Sequence, residues 1–372
     1  MNRASFYLRK FVFIRSQIIS MKREKLIRNL ATFLSLLAIF GFLKLANSYT
    51  SAYIIQILNI TAIYIILSTS YNLVNGVTGQ FSLGPNAFMA VGAYTASLLT
   101  MSPAEKELTF IIEPIISPLG KISLPFLPSL LIAGVVTSIF AFLIAFPVFR
   151  VRGDYLAIVT LGFGEIIRVF ATNAVSITNG SLGLKGINQY TNLWWSWGWA
   201  IFTVFCLISL VESSYGRAMK AIREDETAAQ AMGINTFRYK MLAFIISAFF
   251  QGIGGGLLAH LLTTIDPKLF SFFLTFNLLI MIVAGGLGSM TGSIIGAVIF
   301  AWGFELLRWF EEPHQIGDMF IPGIPGMRMV IFSLLLIIIM LFFRRGITGR
   351  WEFSWDWALN TFGRRIKFRE IN

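Results

Sequence analysis

The sequence contains one cysteine and two histidines in 372 residues. The single Cys206 excludes a disulfide within the chain, and His260 and His314 are far apart in the sequence, which argues against a metal site. Charged residues are also scarce, at 13% of the chain against about 25% in soluble domains. The composition therefore excludes an ordinary soluble protein, and we predict neither a metal nor a cofactor.

A phosphate-binding loop of the form Gly-x-x-x-x-Gly-Lys-Ser/Thr is absent from the sequence. The nearest string, Gly180–Gly186, has different spacing and lies in a predicted outer loop. Zinc-protease histidines, a catalytic triad pattern and a pair of catalytic carboxylates are missing as well. We therefore predict that the chain is not an enzyme and has no catalytic residues.

Apolar residues dominate what is present: 56% of the chain is hydrophobic and the mean hydropathy is +0.73. Because a helix needs about 20 apolar residues to cross a bilayer, we predict an all-α integral membrane protein, a polytopic bundle of about ten (eight to ten) transmembrane helices. The expected spans are 29–47, 52–75, 85–101, 127–149, 155–172, 193–212, 241–263, 274–288, 290–305 and 328–343. The segments 274–288 and 290–305 are short, so re-entrant segments are the alternative there.

The net charge of +12 is concentrated in the segments 1–28, 213–240 and 344–372. Basic segments are retained in the cytoplasm, whereas loops 102–126 and 306–327 contain more acids than bases and are expected outside. No nucleic-acid motif accompanies this charge. We predict a basic cytoplasmic segment 1–28 with Met1 or Met21 as initiator, a transmembrane domain 29–345 and a basic, Trp-rich cytoplasmic tail 346–372.

The polar insert Ser213–Lys240 stands out between two apolar spans. Good helix formers fill the stretch between Gly216 and Gly233, and a glycine is typical just beyond a helix C-terminus. The spacing predicts a short amphipathic helix presented to a partner, with one side formed by Met219, Ile222, Ala229 and Met232. A solvated linker is the alternative.

Glycines and polar residues inside the spans suggest close packing and a path for a polar solute. Gly288, Gly292 and Gly296 are four apart, a spacing that lets helix backbones approach closely. Glu165 and Arg168 are three apart and are expected to form an ion pair inside the bundle, with a structural role or as a proton relay. Candidates for lining the path, which equally suit hydrogen bonds between helices, are Asn72, Asn75, Gln80, Gln251 and Asn277.

Five motifs occur in a familiar order: Tyr71–Gly84 continued by Ala90–Ser97, then Gly153–Glu165, Asn179–Gly186, Gly216–Asn235 and Ala284–Gly292. Together they resemble the signatures of bacterial branched-chain amino-acid ABC transporter permeases of the LivM/LivH type, closer to LivM, over residues 50–345. The resemblance implies a type II importer-like fold in the bacterial inner membrane. It also implies transport of Leu, Ile, Val or a related small polar solute.

The same resemblance implies four partners: a second permease subunit, two cytoplasmic ATP-binding subunits and a solute-binding protein. The insert corresponds to the coupling loop of such permeases, whose pattern is Glu-Ala-Ala-x-x-x-Gly. Thr227, Ala228, Ala229 and Gly233 fit this spacing, with Thr227 in place of the glutamate and Glu226 one position earlier.

These small residues are expected to seat the loop in a cleft on the ATPase, with Arg223 and Glu226 forming ion pairs at its rim. Pro85 departs from the family, where histidine is frequent.

Three other functions remain open at the level of the sequence. The chain is alternatively an ion-coupled secondary transporter that uses Glu165 and Asp266, or a membrane scaffold without transport. Within the same family, a permease for urea or short amides is the third alternative.

Overall fold

The computed structural model describes residues 30–150, 155–311, 314–316, 319–321, 323–324, 326–342, 346–349 and 351–354. The chain divides into two units, one formed by Met1–Ser51 with Phe353–Asn372 and the other by Ala52–Glu352. In the first unit the described element is helix α1, Leu30–Tyr49, which is apolar over 20 residues. The predicted basic segment 1–28 and the tail from residue 355 onward lie outside the described residues.

The second unit is a helical bundle. Its helices are α2 Ala52–Asn72, α3 Pro85–Thr100, α4 Pro103–Thr109, α5 Ser117–Lys121, α6 Phe126–Val148, α7 Tyr155–Asn173, α8 Val175–Thr178, α9 Leu193–Glu212, α10 Ser214–Glu224, α11 Glu226–Ala231, α12 Thr236–Leu262, α13 Phe272–Gly285, α14 Met290–Leu306 and α15 Met327–Phe342. A π-helical turn, Leu73–Val77, continues α2, and short 3-10 turns cover Gly180–Leu182 and Leu307–Phe310.

Four short strands complete the described elements. Strand β1, Leu184–Lys185, pairs antiparallel with β2, Thr264–Ile265, and β3, His314–Ile316, pairs antiparallel with β4, Met319–Ile321. The molecule is therefore mostly helical, as expected for a membrane protein. In the described ranges six helices have the length and apolarity to cross a membrane: α1, α2 with its π-turn, α6, α7, α9 and α12.

The remaining apolar helices are shorter. Helices α3, α13, α14 and α15 contain 16, 14, 17 and 16 residues. Helices α13 and α14 correspond to the predicted short spans and are joined by the turn 286–289, in which Gly286 and Gly288 have φ values of 136° and 85°. These positive φ values are open to glycine and strained for other residues, so the turn depends on both glycines.

Helix α12 is the centre of the bundle, with 78% of its apolar window buried. A Cβ atom added at Gly92 of α3 would lie 2.1 Å from the carbonyl oxygen of Gly252, and one added at Gly255 would lie 2.1 Å from that of Met89. The backbones of α3 and α12 therefore touch without side chains between them. Gly252 meets α6 in the same way, because its added Cβ would lie 2.4 Å from Thr137 Oγ1.

The end of α12 near Leu262 packs against the loops on that side of the bundle. His260 is fully buried, with Nε2 2.7 Å from Thr100 Oγ1 and Nδ1 2.8 Å from the Gly256 carbonyl oxygen. In the loop after α3, Lys106 is buried and its Nζ donates to the carbonyl oxygens of Leu119 at 2.7 Å and Ile122 at 2.5 Å. Burial lowers the pKa of Lys106 from its usual value. The hydrogen bonds of the Lys106 amine thus connect distant parts of loop 102–126.

Replacing Gly92 with valine tests the contact between α3 and α12. The added side chain would overlap the Gly252 carbonyl group, and we expect a loss of about 3 kcal/mol in the free energy of unfolding, because backbone atoms must move. The measurement is the thermal midpoint of the purified chain in detergent. Gly198→Val in α9 is the matched control, since a Cβ there meets nothing within 4 Å. Equal midpoints for the two variants would contradict this account.

Candidate functional site

The insert Ser213–Lys240 folds as two helices, so the single helix predicted between Gly216 and Gly233 is wrong. Helix α10 begins after Ser213, whose Oγ accepts from the amides of Tyr215 and Gly216. It ends at Asp225, which is extended with φ −158° and ψ 112°. The Asp225 carboxylate accepts from the Ala228 amide at 3.0 Å and so caps α11 as a new helix.

This break changes which side chains face the bundle. Met219, Ile222 and Ala229 are buried, at 0%, 3% and 4% exposed, whereas Met232 is 82% exposed. The prediction that Met232 shares their side is therefore wrong, because α11 ends at Ala231 and the chain leaves the helix there. Met232 instead projects as an apolar side chain into the surroundings of the insert.

The outward surface of the insert consists of small residues around Met232. Thr227, Ala228 and Gly233 are exposed. Gly233 has a φ of 82°, its amide donates to the Gln230 carbonyl oxygen at 2.9 Å, and a Cβ added there would meet no atom within 4 Å. This is the left-handed residue that ends a helix, and none of the described residues covers it.

The charged side chains expected at the rim of the insert form ion pairs within the chain. Glu226 pairs with Lys240 at 2.5 Å, and Arg223 pairs with Glu224 at 2.7 Å. Arg223 also donates from Nη1 to the carbonyl oxygen of Gly76 at 2.9 Å. The insert is thereby fastened to the π-turn Leu73–Val77, and π-turns within helices are frequent at functional sites.

The π-turn is in turn fastened to the α13–α14 turn by one side chain. Asn72, which is fully buried, accepts from the Gly288 amide and donates to the Ser289 carbonyl oxygen, both at 2.9 Å. A Cβ added at Gly76 would lie 2.3 Å from the Gly288 nitrogen. The early and the late glycine-rich segments of the sequence thus lie side by side beneath the insert.

Residues 346–349, 351 and 352, assigned from the sequence to a cytoplasmic tail, pack against the same turn. The Thr348 hydroxyl donates to the Gly285 carbonyl oxygen at 2.7 Å. The Glu352 carboxylate accepts from the amides of Met290 at 2.6 Å and Thr291 at 3.1 Å, at the N-terminus of α14. A carboxylate at a helix N-terminus is favourable because it meets unpaired amides and the positive end of the helix dipole.

The packing glycines of the sequence occupy two different environments. Gly288 is in the α13–α14 turn rather than on a helix. Gly292 and Gly296 are on α14, where an added Cβ would lie 2.9 Å from the Gly285 carbonyl oxygen and 2.0 Å from that of Met281. Close approach of the α13 and α14 backbones therefore depends on the last two.

The five residues proposed to line a path have different surroundings in the described part of the chain. Asn75 exchanges hydrogen bonds with the backbone of Ser82, and Gln251 donates to the Ser247 hydroxyl at 2.8 Å. Gln80 and Asn277 are half-buried. These contacts are local, because Gln251 and Ser247 are one turn apart on α12 and Ser82 is in the loop after the π-turn, whereas the two bonds of Asn72 connect α2 to the distant α13–α14 turn. The Gln251 Oε1 atom is buried and has no hydrogen-bond partner in the described part of the chain.

Glu165 and Arg168 form their predicted ion pair, with Arg168 Nη2 2.6 Å from Glu165 Oε2. The pair is not in the interior of this chain, however, because the two side chains are 41% and 37% exposed. A charged side chain at the centre of a bilayer costs about 2.5–3.5 kcal/mol on insertion scales. This face of α7 is therefore unsuited to contact with lipid tails.

Asn86 and Asp266 are two further polar residues with defined hydrogen bonds. Asn86, which sequence reasoning missed, joins α3 to α13, because its amide oxygen accepts from the Thr275 hydroxyl at 3.1 Å. Asp266 accepts from the Leu269 amide at 2.9 Å and caps a turn. Within the described ranges, no three His, Cys, Asp or Glu side chains are grouped as a metal site would require.

Comparison with known proteins places the chain among transport components. A family model described as branched-chain amino acid transport system / permease component matches residues 53–341. The high-affinity branched-chain amino acid transport system permease protein LivM of Salmonella typhimurium (strain LT2) is 34% identical over 292 residues, which cover 69% of this chain and 64% of that protein. LivM of Escherichia coli (strain K12) matches with the same identity and coverage.

A second relative is LivH, the permease protein of the same kind of transport system in Salmonella typhimurium, which is 23% identical over 307 residues, covering 78% of this chain and 92% of LivH. The chain spans 64% of the length of the LivM relatives that it matches. No solved structure matches the chain significantly.

Replacing Asn72 with leucine tests the link between the π-turn and the α13–α14 turn. The change leaves the half-buried Gly288 amide without a partner, at about 1–3 kcal/mol, and removes one bond from the Ser289 carbonyl oxygen, which keeps those donated by the Ser293 amide and hydroxyl groups. We expect a clear fall in the thermal midpoint of the purified chain. Asn277→Leu is the control, because no hydrogen bond of the half-buried Asn277 side chain is present in the described residues. A variant at Asn72 as stable as the control would show that the link is dispensable.

Proposed function

Because the chain belongs to the family of branched-chain amino acid transport system permease components, we propose that it is a membrane subunit of an ATP-driven importer. It would carry Leu, Ile, Val or a related small polar solute across the bacterial inner membrane. Its partners would be a second permease subunit, two ATP-binding subunits and a solute-binding protein. The chain itself is a transport subunit, and the partner subunits hydrolyse ATP.

The observation that carries this proposal is the exposed small-residue surface of the insert. Ala228 and Gly233 leave room for a close approach, and Met232 offers a flexible apolar side chain to a cleft. A solvated linker would need none of these features. The LivM relatives carry the words "transport system permease" in their names, and a permease without its own phosphate-binding loop needs a docking surface for an ATPase.

Arg223 gives the docked insert a connection to the spans. A displacement of α10 would act on the Gly76 carbonyl group through the Arg223 Nη1 hydrogen bond, and from there on the α13–α14 turn through Asn72. The π-turn is the proposed hinge, because it interrupts the regular hydrogen bonding of α2 and such turns are frequent at functional sites. ATP-driven movement of the insert would thereby shift α2 and α14 together.

We propose ten crossings, with the insert and both termini in the cytoplasm and a type II arrangement of the spans. The crossings are α1, α2, α3, α6, α7, α9, α12, α13, α14 and α15. Four segments then lie on one side: the π-turn, the insert, the 286–289 turn and residues 346–349 follow the second, sixth, eighth and tenth crossings. Their mutual hydrogen bonds support this order.

Helices α13 and α14 are about 21 and 26 Å long at 1.5 Å per residue, which is short for a hydrocarbon core of about 30 Å. Local thinning of the bilayer accommodates short spans at modest cost. On the opposite side, strand β1 pairs with β2, and the Ile116 amide donates to the Ser176 carbonyl oxygen. Those segments follow the third, fifth and seventh crossings, as ten crossings require.

An ion-coupled secondary transporter receives less support from the side chains. Its coupling carboxylates, Glu165 and Asp266, are held by Arg168 and by the Leu269 amide. Transport by this chain alone in vesicles would favour that alternative nevertheless. The family and the exposed insert favour the importer.

Reconstitution tests the proposed activity and its substrate. The complete importer contains five chains: this one, the second permease subunit, the two ATP-binding subunits and the binding protein. In proteoliposomes that contain all five, we expect ATP-dependent uptake of radiolabelled leucine. Excess isoleucine or valine should compete, whereas urea or acetamide should not. Uptake of urea without uptake of leucine would move the chain to the urea and short-amide permeases.

Replacing Gly233 with aspartate tests the docking surface. Aspartate tolerates the left-handed conformation at a cost of about 1–2 kcal/mol, so the chain should fold, but its charge and volume would occupy the surface that meets the ATPase. We expect substrate-stimulated ATP hydrolysis to fall at least tenfold, in line with about 1.4 kcal/mol or more of lost docking free energy.

Gly186→Asp is the matched control for this change. Gly186 also has a positive φ, of 71°, and a Cβ added there meets nothing within 4 Å. It lies in a loop on the opposite side of the bundle in the proposed topology. If both variants lose ATP hydrolysis equally, backbone strain rather than docking is the cause.

A further inference from the structure

The Glu165–Arg168 pair leaves one atom of each side chain available for a ligand. Arg168 Nε and Nη2 both contact Glu165 Oε2, at 2.8 and 2.6 Å. Glu165 Oε1 and Arg168 Nη1 make no hydrogen bond in the part of the chain that the structure describes. A free carboxylate oxygen therefore lies beside a free guanidinium N–H group, which is an arrangement complementary to a zwitterion.

The depth of this pair excludes contact with lipid tails. Helix α7 has 19 residues and Glu165 is near its middle, so at 1.5 Å per residue Glu165 is about 12 Å and Arg168 about 8 Å from its C-terminal end. Ionisable groups at such a depth face the bundle interior or a water-filled path and mark solute pathways. The exposed face of α7 is thus expected to border water or protein in the assembled transporter.

Two adjoining cavities lie on this face. The first is an open groove of about 460 Å³ that is lined by Glu165, Ile166, Val169, Phe170 and Asn173, and Arg168 adjoins it through its ion pair with Glu165. The second, of about 470 Å³, is formed between α3, α6 and α7 and also contains Ile166 and Phe170 in its walls. Ile166 and Phe170 thus lie between the ion pair and the second cavity.

The second cavity is apolar and holds one unpaired hydroxyl group. Its walls include Phe140, Phe163, Ile167 and Tyr94. Tyr94 is 6% exposed, and its hydroxyl group has no hydrogen-bond partner among the described residues. Buried polar groups are almost always hydrogen-bonded, so this hydroxyl is a second, independent sign that a ligand or water enters the cavity.

We propose that the cavities on α7 form an amino-acid binding site in the translocation path, in which Glu165 binds the α-ammonium group and Arg168 the α-carboxylate. The aliphatic side chain enters the apolar cavity beyond Ile166 and Phe170. In the empty site the charges of Glu165 and Arg168 neutralise each other. A bound zwitterion adds a second pair of opposite charges, which is antiparallel to the first. A cation or anion would leave one charge unmatched, so the site selects zwitterions with apolar side chains. This inference rests on the proposed function and adds its binding residues.

The first test uses the complete importer in proteoliposomes. Glu165→Gln and Arg168→Gln each remove one charge that meets the ligand, and we expect maximal leucine uptake to fall at least about tenfold. The complex should still co-purify with its second permease subunit and ATPases. The double variant Glu165→Arg with Arg168→Glu retains an i,i+3 ion pair but reverses its polarity. It should also lose uptake, because a reversed zwitterion directs its side chain away from the cavity.

Arg308→Gln is the matched control for these variants. It breaks the other i,i+3 pair, Arg308–Glu305 at 3.2 Å, which lines neither cavity, and uptake should persist. Wild-type uptake by the reversed pair, or by both neutral variants, would overturn the proposal. Loss of co-purification would overturn it as well and assign the pair to the contact between subunits. If the unaltered importer takes up no amino acid, the proposed function fails instead.

A labelling experiment reads the water path directly. Val169 is 49% exposed in the first cavity, and Cys206 is the only other thiol once Val169→Cys is introduced. In a Cys206→Ser background, a membrane-impermeant maleimide should label Val169→Cys in the assembled importer. Leucine supplied with the binding protein and ATP should slow the labelling. Absence of labelling would mean that lipid or a subunit seals this face, which contradicts the proposal.

Discussion

The contact between the backbones of α3 and α12 is the constraint on which the other positions depend. Gly92, Gly252 and Gly255 bring carbonyl groups of one helix against α-carbons of the other. Between membrane helices the driving force is close packing rather than exclusion of water, and small residues permit it. Helix α12 also contacts α2 and α6, and α11 connects it to α10. An added methyl group at the contact between α3 and α12 would therefore shift the neighbouring helices and the insert.

The insert end of the bundle depends on hydrogen bonds rather than on packing. Four side chains connect segments that are about 60 to 220 residues apart in the chain, namely those of Arg223, Asn72, Thr348 and Glu352. Most of their partners are backbone groups at turns or helix ends. Backbone groups freed at a turn must find partners when water is excluded. The same bonds that satisfy those groups therefore connect the insert with α2, with α14 and with the turn between α13 and α14.

Helix positions followed from the sequence because a bilayer imposes a length of about 20 apolar residues, and the predicted spans differ from the helices by a few residues at most ends. The details of the insert did not follow. Asp225 lies among good helix formers, and only its side-chain bond to the Ala228 amide ends α10 there. The exposure of Met232 depends on that break. Likewise, Asn72 was a candidate for the path, but its two bonds to the α13–α14 turn need the fold to be known.

The exposed ion pair on α7 is a consequence of how unevenly the bundle is packed. The apolar window of α12 is 78% buried, whereas that of α7 is 22% buried. Segments with few buried contacts open and move at low free-energy cost, so α7 is suited to be a moving wall while α12 stays in place. A moving wall that met lipid tails would be apolar throughout. Glu165 and Arg168 interrupt this pattern in the second half of α7, and the proposed zwitterionic ligand would account for the presence of both charges.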